Sequence, residues 1–79
     1  MHKEGAIKIG FRKALAARAG QACTLTRPST QVAEAQFGDV SFQLVMSEYN
    51  DHGDVSTEAE HDAIYQALQA IAAEHNASA

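Results

Sequence analysis

A chain of 79 residues with a formal net charge of −4 has room for one small domain and not for a second. Its single cysteine, Cys23, excludes an internal disulfide framework and fits a reducing compartment. No apolar run approaches the length of a membrane span and the N-terminus lacks the apolar core of a secretory signal, so a cytoplasmic protein that does not engage membranes is expected.

The charges are segregated along the chain. All six Lys and Arg lie among residues 1–27 with Glu4 as the single acid there, and from Pro28 onward come nine acids and no Lys or Arg. Such a division either draws the two halves together and keeps the fold soluble, or points to charged partners.

Residues 1–20 read first as a helix over about 8–19, because F-R-K-A-L-A-A-R-A is built of strong helix formers and Gly20 stands where a helix can end. Residues 5–9 stay open. Ile7, Phe11, Ala14, Leu15 and Arg18 share a helical face, Ile7, Ile9 and Phe11 also alternate like a strand, and Gly10 inside a longer helix would cost roughly 1 kcal/mol.

Gln21 to Arg27 alternates, with Cys23 and Leu25 on one side and Thr24 and Thr26 on the other; Pro28-Ser29 should end it, since Pro removes a ladder donor. Gln31 to Met46 carries the strongest pattern in the chain. Gly38-Asp39 reads as a two-residue hairpin turn, which pairs Phe37 with Val40, Ala35 with Phe42, Ala33 with Leu44 and Gln31 with Met46 and puts both apolar sets on one face. A two-residue Pro-Ser loop before it would set Leu25 opposite Val32 on the polar face. A three-residue loop places Cys23 and Leu25 beside Ala33 and Ala35, so the odd loop is expected. The other face of this meander collects Thr24, Thr26, Val32, Glu34, Gln36, Ser41, Gln43 and Val45.

Thr57-Glu58-Ala59-Glu60 is a capping box, and the helix it opens should run from Glu58 to about His75. Ile64, Leu68 and Ile71 form its buried stripe, Ala59, Ala63, Ala70 and Ala73 its smooth opposite side, and Asn76–Ala79 should fray. The expected architecture is α+β: a three-stranded antiparallel meander with an N-terminal and a C-terminal helix on one face, in the order α-β-β-β-α.

Catalytic and metal chemistry find little support. His61 and His75 lie fourteen residues apart on one helix, roughly 21 Å, and aligning Gly53 with the central glycine of an EF-hand loop puts Ala59 where a bidentate Glu is required. G-F-R-K-A-L lacks the second glycine and the Ser/Thr of a phosphate loop. Cys23, in mid-strand on the apolar face, should be a small inert hydrophobe. Neither an enzyme nor a cofactor or metal site is expected.

Two surfaces remain. Glu48, Asp51, Asp54, Glu58 and Asp62 gather around the loop before the last helix with no later basic residue to neutralise them, and suit a Lys- or Arg-rich protein groove, such as that of a nucleic-acid-binding protein. The expected function is a non-enzymatic protein-binding module, a small acidic inhibitor or regulator of the phage or mobile-element kind, anti-CRISPR-like, that occupies a macromolecular partner. The alternative is a nucleic-acid-associated regulator using Lys8, Arg12 and Lys13 of the first helix. The two meander edges, Gln21–Arg27 and Val40–Ser47, carry no central Lys or Pro, so a homodimer through an edge or the polar sheet face is also expected.

Overall fold

The computed structural model describes residues 3–49 and 57–78, and the chain follows the order α-β-β-β-α. Helix α1 covers Lys3–Ala16. It begins well before residue 8 and takes in Gly10, so the strand alternative for 5–9 is excluded. The reason lies in burial: Ile7, Phe11 and Leu15 recur every four residues and are 1%, 0% and 4% exposed, whereas Ile9, which a strand would have turned inward with them, is 42% exposed. Burying such side chains is worth about 1.5–3 kcal/mol each, more than one helical glycine costs. The helix also ends sooner than expected. After Ala16 the backbone tightens, with Arg18 N donating to Leu15 O at 3.0 Å and Gln21 N to Arg18 O at 3.1 Å, around Gly20 at φ +89°.

Strands β1 (Thr24–Ser29), β2 (Val32–Phe37) and β3 (Val40–Val45) form an open antiparallel sheet in the order β1-β2-β3. The β2–β3 register is the expected one: Phe37 opposite Val40, Ala35 opposite Phe42 and Ala33 opposite Leu44, with Met46 N donating to Gln31 O at 2.7 Å and Gly38 at φ +62° in the turn. The β1–β2 hairpin departs from expectation. Its strand runs through Pro28 to Ser29, and an irregularity between Thr26 and Ser29 shifts the ladder by one residue ahead of the Thr30-Gln31 turn. That bulge, where a missing N–H costs no ladder bond, does what an odd loop was expected to do. Leu25 keeps to the apolar face, opposite Ala35.

A short 3₁₀ turn, Met46–Tyr49, follows β3 and buries Met46 completely. Helix α2 covers Glu58–Ser78 behind the expected capping box: Glu60 N donates to Thr57 Oγ1 and Thr57 N to Glu60 Oε1, each at 3.2 Å. Ile64, Leu68 and Ile71 are buried, and Ala59, Ala63, Ala70 and Ala73 are exposed. Phe11, Phe37, Ile7, Met46 and Leu68 are the largest fully buried side chains, so the core lies between the two helices and the apolar sheet face.

The C-terminal segment expected to fray is instead helical through Ser78 and tied down. The Asn76 amide pairs with Cys23 as a neighbouring strand would, its Oδ1 accepting from Cys23 N at 2.7 Å and its Nδ2 donating to Cys23 O at 2.9 Å. His75 Nε2 meets Gln21 O and Tyr65 Oη donates to Leu25 O at 3.5 Å. Side chains of α2 therefore occupy alternate backbone positions, Gln21, Cys23 and Leu25, from the segment leading into β1 to its second residue. Among the described residues no helix is long and apolar enough to cross a membrane.

Removing the Asn76 amide leaves two part-buried backbone groups without partners, so Asn76→Ala is expected to lower stability by about 1–3 kcal/mol. Thr57→Ala, which removes the cap, should cost about 1 kcal/mol. Urea midpoints at constant slope measure both, and an Asn76→Ala variant as stable as the parent would show that the tie contributes nothing.

Candidate functional site

Of the acidic cluster expected around the last loop, only part lies among the described residues. Glu48 lies in the 3₁₀ turn, Glu58 is exposed in the first turn of α2, and Asp51 and Asp54 lie outside the described residues. Asp62 is committed elsewhere. Its Oδ1 receives Arg27 Nη1 at 2.6 Å, while Arg27 Nη2 donates to Thr30 O at 2.9 Å and the guanidinium lies 5.5 Å from the Tyr65 ring centroid. The Arg27 side chain is 22% exposed and its Nε is buried without a hydrogen-bond partner. Arg27, the last basic residue of the chain, sits at the bulge of β1 and thus pairs with one member of the expected acidic set.

The basic strip on α1 fares similarly. Lys8 is half-buried, Lys13 is exposed, and Arg12 Nη1 lies 3.5 Å from Glu74 Oε2 on α2. Arg12 and Lys13 diverge by about 100° around the helix, and a largely exposed pair such as Arg12–Glu74 contributes little stability. It nonetheless places a carboxylate beside the cation that a phosphate would need. Arg18 is half-buried, with its guanidinium 5.2 Å from the Phe37 ring centroid.

Arg12, Leu15, Ile71, Glu74 and His75 flank an open depression of about 300 Å³ between α1 and α2. Its polar groups are already engaged with one another or with β1, and they do not converge on a common point. No three His, Cys, Asp or Glu side chains among the described residues are placed to hold a metal ion. Cys23 is 4% exposed, and burial pushes its thiol pKa up against the opposing pull of the Gln36 backbone N–H. A thiol in that state is a poor nucleophile at neutral pH.

The surface with the most uniform chemistry is the sheet face turned away from both helices. Thr24, Thr26, Gln36, Ser41 and Gln43 are exposed on it, and Val32, Glu34 and Val45 are half-buried. Val32 and Val45 stand directly opposite each other, and Glu34 is the only charge. Strand alternation alone identifies every one of these positions. What sequence reasoning missed is the α2 clasp on β1. A signal for it existed, because Tyr65 and Asn76 are eleven residues apart, about three helical turns, and so share one face.

Comparison with protein-family models, curated proteins and solved structures finds no match. The surface chemistry of the chain is then the only guide to its function.

Alkylation of Cys23 by iodoacetamide at pH 8 is expected to proceed only through unfolding, so its rate should rise with urea across the unfolding transition. Because the folded-state pKa is raised, the thiol's contribution is intact below the ordinary value of 9.0 and is lost as pH climbs past it. Stability should therefore fall above about pH 9, and fall less in Cys23→Ala. Fast native-state labelling, or identical alkaline profiles, would show that the thiol is not held protonated by the fold.

Proposed function

We propose that this protein is a non-enzymatic binding module that occupies a protein partner through the open face of its sheet. The observation that carries this reading is the composition of that face: hydroxyls, amides and a half-buried valine pair around one carboxylate, Glu34. Charged side chains are depleted in the centres of protein interfaces, and groups that both donate and accept allow a close, wet contact without stranded charge. Both helices pack on the opposite side, which leaves the face sterically accessible. Small size and acidity suit an inhibitor or regulator of the phage or mobile-element kind, anti-CRISPR-like, acting in the cytoplasm.

An acidic docking patch is less favoured, because Asp62 is held by Arg27. Nucleic-acid binding through Lys8, Arg12 and Lys13 is less favoured as well, because Glu74 lies against Arg12.

The test is affinity capture by the tagged protein from lysate, with the recovered partner identified and titrated. Thr26→Arg with Gln36→Arg, both on the open face and outside β3, should weaken that partner at least tenfold, whereas Ala63→Arg with Ala70→Arg on the outer side of α2 should not. A labelled DNA duplex and single strand at low salt should show no change in anisotropy. Full affinity in the sheet-face variant, or tight salt-sensitive binding of either nucleic acid, would overturn the reading.

A further inference from the structure

The two edges of the sheet are unequal. On the β1 side Tyr65 meets Leu25 within the strand, and His75 and Asn76 meet Gln21 and Cys23 in the segment leading into it. Among the described residues no strand pairs with the outer side of β3, the other outer strand. In a hairpin closed by the Gly38-Asp39 turn, Phe37–Val40 is a hydrogen-bonded pair, and alternate pairs follow it, so Val40, Phe42 and Leu44 bond to β2. The backbone N–H and C=O groups of Ser41, Gln43 and Val45 therefore point outward from the sheet. Val40–Val45 contains no charged residue, no proline and no glycine, so none of the usual guards against strand addition is present.

We infer that β3 pairs antiparallel with β3 of a second copy of this chain, with Phe42 at the two-fold axis, to give a continuous six-stranded sheet. In an antiparallel pair, opposite residues must point to the same face, so the register of a two-fold pair is limited to a few choices. Centring on Phe42 sets Ser41 against Gln43 of the second copy through both outward backbone groups. It also sets Phe42 against Phe42, and Val40 against Leu44. On the apolar face this covers the remaining exposure of Val40, which is 42%, and of half-buried Phe42 and Leu44. Centring on Gln43 is worse: it would need Met46, which is fully buried at the start of the 3₁₀ turn, as the partner of Val40.

A second copy fits this edge better than an unrelated strand because the pattern is self-complementary. Each protomer is acidic overall, yet the paired segment is neutral. Pairing also reduces a shortage of area. From strand rise and spacing, one open face projects over roughly 300 Å², whereas stable interfaces bury about 800 Å² per partner. Two faces side by side double the platform on which the proposed function rests, although the pairing itself stands on the edge chemistry alone.

Sedimentation equilibrium over a concentration series should show a monomer–dimer equilibrium for the parent protein. Ser41→Pro removes an outward N–H that β2 does not use, and should raise the dimer dissociation constant about tenfold or more with little change in melting. Gln43→Lys, which places a charge on the edge, provides the same test should the proline variant not fold. Under mild oxidation Phe42→Cys should give a disulfide-linked dimer and Gln43→Cys should not. A parent protein that stays monomeric at millimolar concentration, or a dimer indifferent to both edge variants, would overturn the inference. Crosslinking of Gln43→Cys in place of Phe42→Cys would overturn the register. No partner protein is needed in any of these measurements, so their failure is distinct from failure of the proposed function.

Discussion

The fold depends on how helix α2 ties down the entry to β1. A three-stranded sheet has two outer strands, and each presents a row of backbone donors and acceptors that water, another strand or side chains must satisfy. At β1 the solution is internal. Asn76 offers a donor and an acceptor on one amide and takes both backbone groups of Cys23, while His75 and Tyr65 take the carbonyls two residues to either side. This fixes the position of α2 along the sheet at its C-terminal end, and the capping box fixes where the helix begins. With α2 set, Ile64, Leu68 and Ile71 have one place to go, against α1 and the buried alanines of β2.

The charge division of the chain is used in the same way. Arg27–Asp62 and Arg12–Glu74 both join the basic N-terminal segment to α2. Neither is a large source of stability. Asp62 is half-exposed, so its pair falls in the range of about 0–1 kcal/mol, and the guanidinium over Tyr65 adds about 0.5–1 kcal/mol. Against that stands the buried Nε of Arg27, which has no partner. The pairs act more on specificity than on energy: they favour one docking of α2 over its alternatives and remove charge from positions that sequence alone assigned to partners.

The elements that could be read from sequence were those specified locally. The β2–β3 register follows from a two-residue turn and strict alternation, and the capping box from four consecutive residues, so no distant contact was needed to place them. The misread or ambiguous positions are those where a distant contact decides. Where the sequence leaves residues 5–9 open between helix and strand, the joint burial of Ile7, Phe11 and Leu15 decides for the helix. Pro28 stays in β1 because a bulge accommodates it, and the bulge is visible only once Ser29 is seen opposite Val32. Asn76 seemed a fraying residue and Asp62 a free carboxylate until the partners, 53 and 35 residues away in the chain, were in place. The open sheet face was the one candidate surface fully legible beforehand, since period-two alternation assigns it without any long-range information.

The two edges of the sheet are also connected through Phe37. Its ring stacks on Phe42 of β3 with centroids 5.9 Å apart, receives the guanidinium of Arg18 at 5.2 Å, and meets His75 edge-on at 6.2 Å. One buried side chain therefore touches the strand that carries the open edge, the end of α1, and the residue that helps seal the opposite edge. Cores are close-packed, so a side chain at such a junction cannot shift toward one neighbour without opening space beside another. A second strand laid along β3 would cover the exposed part of Phe42 and narrow the freedom of the Phe37 ring against which His75 rests.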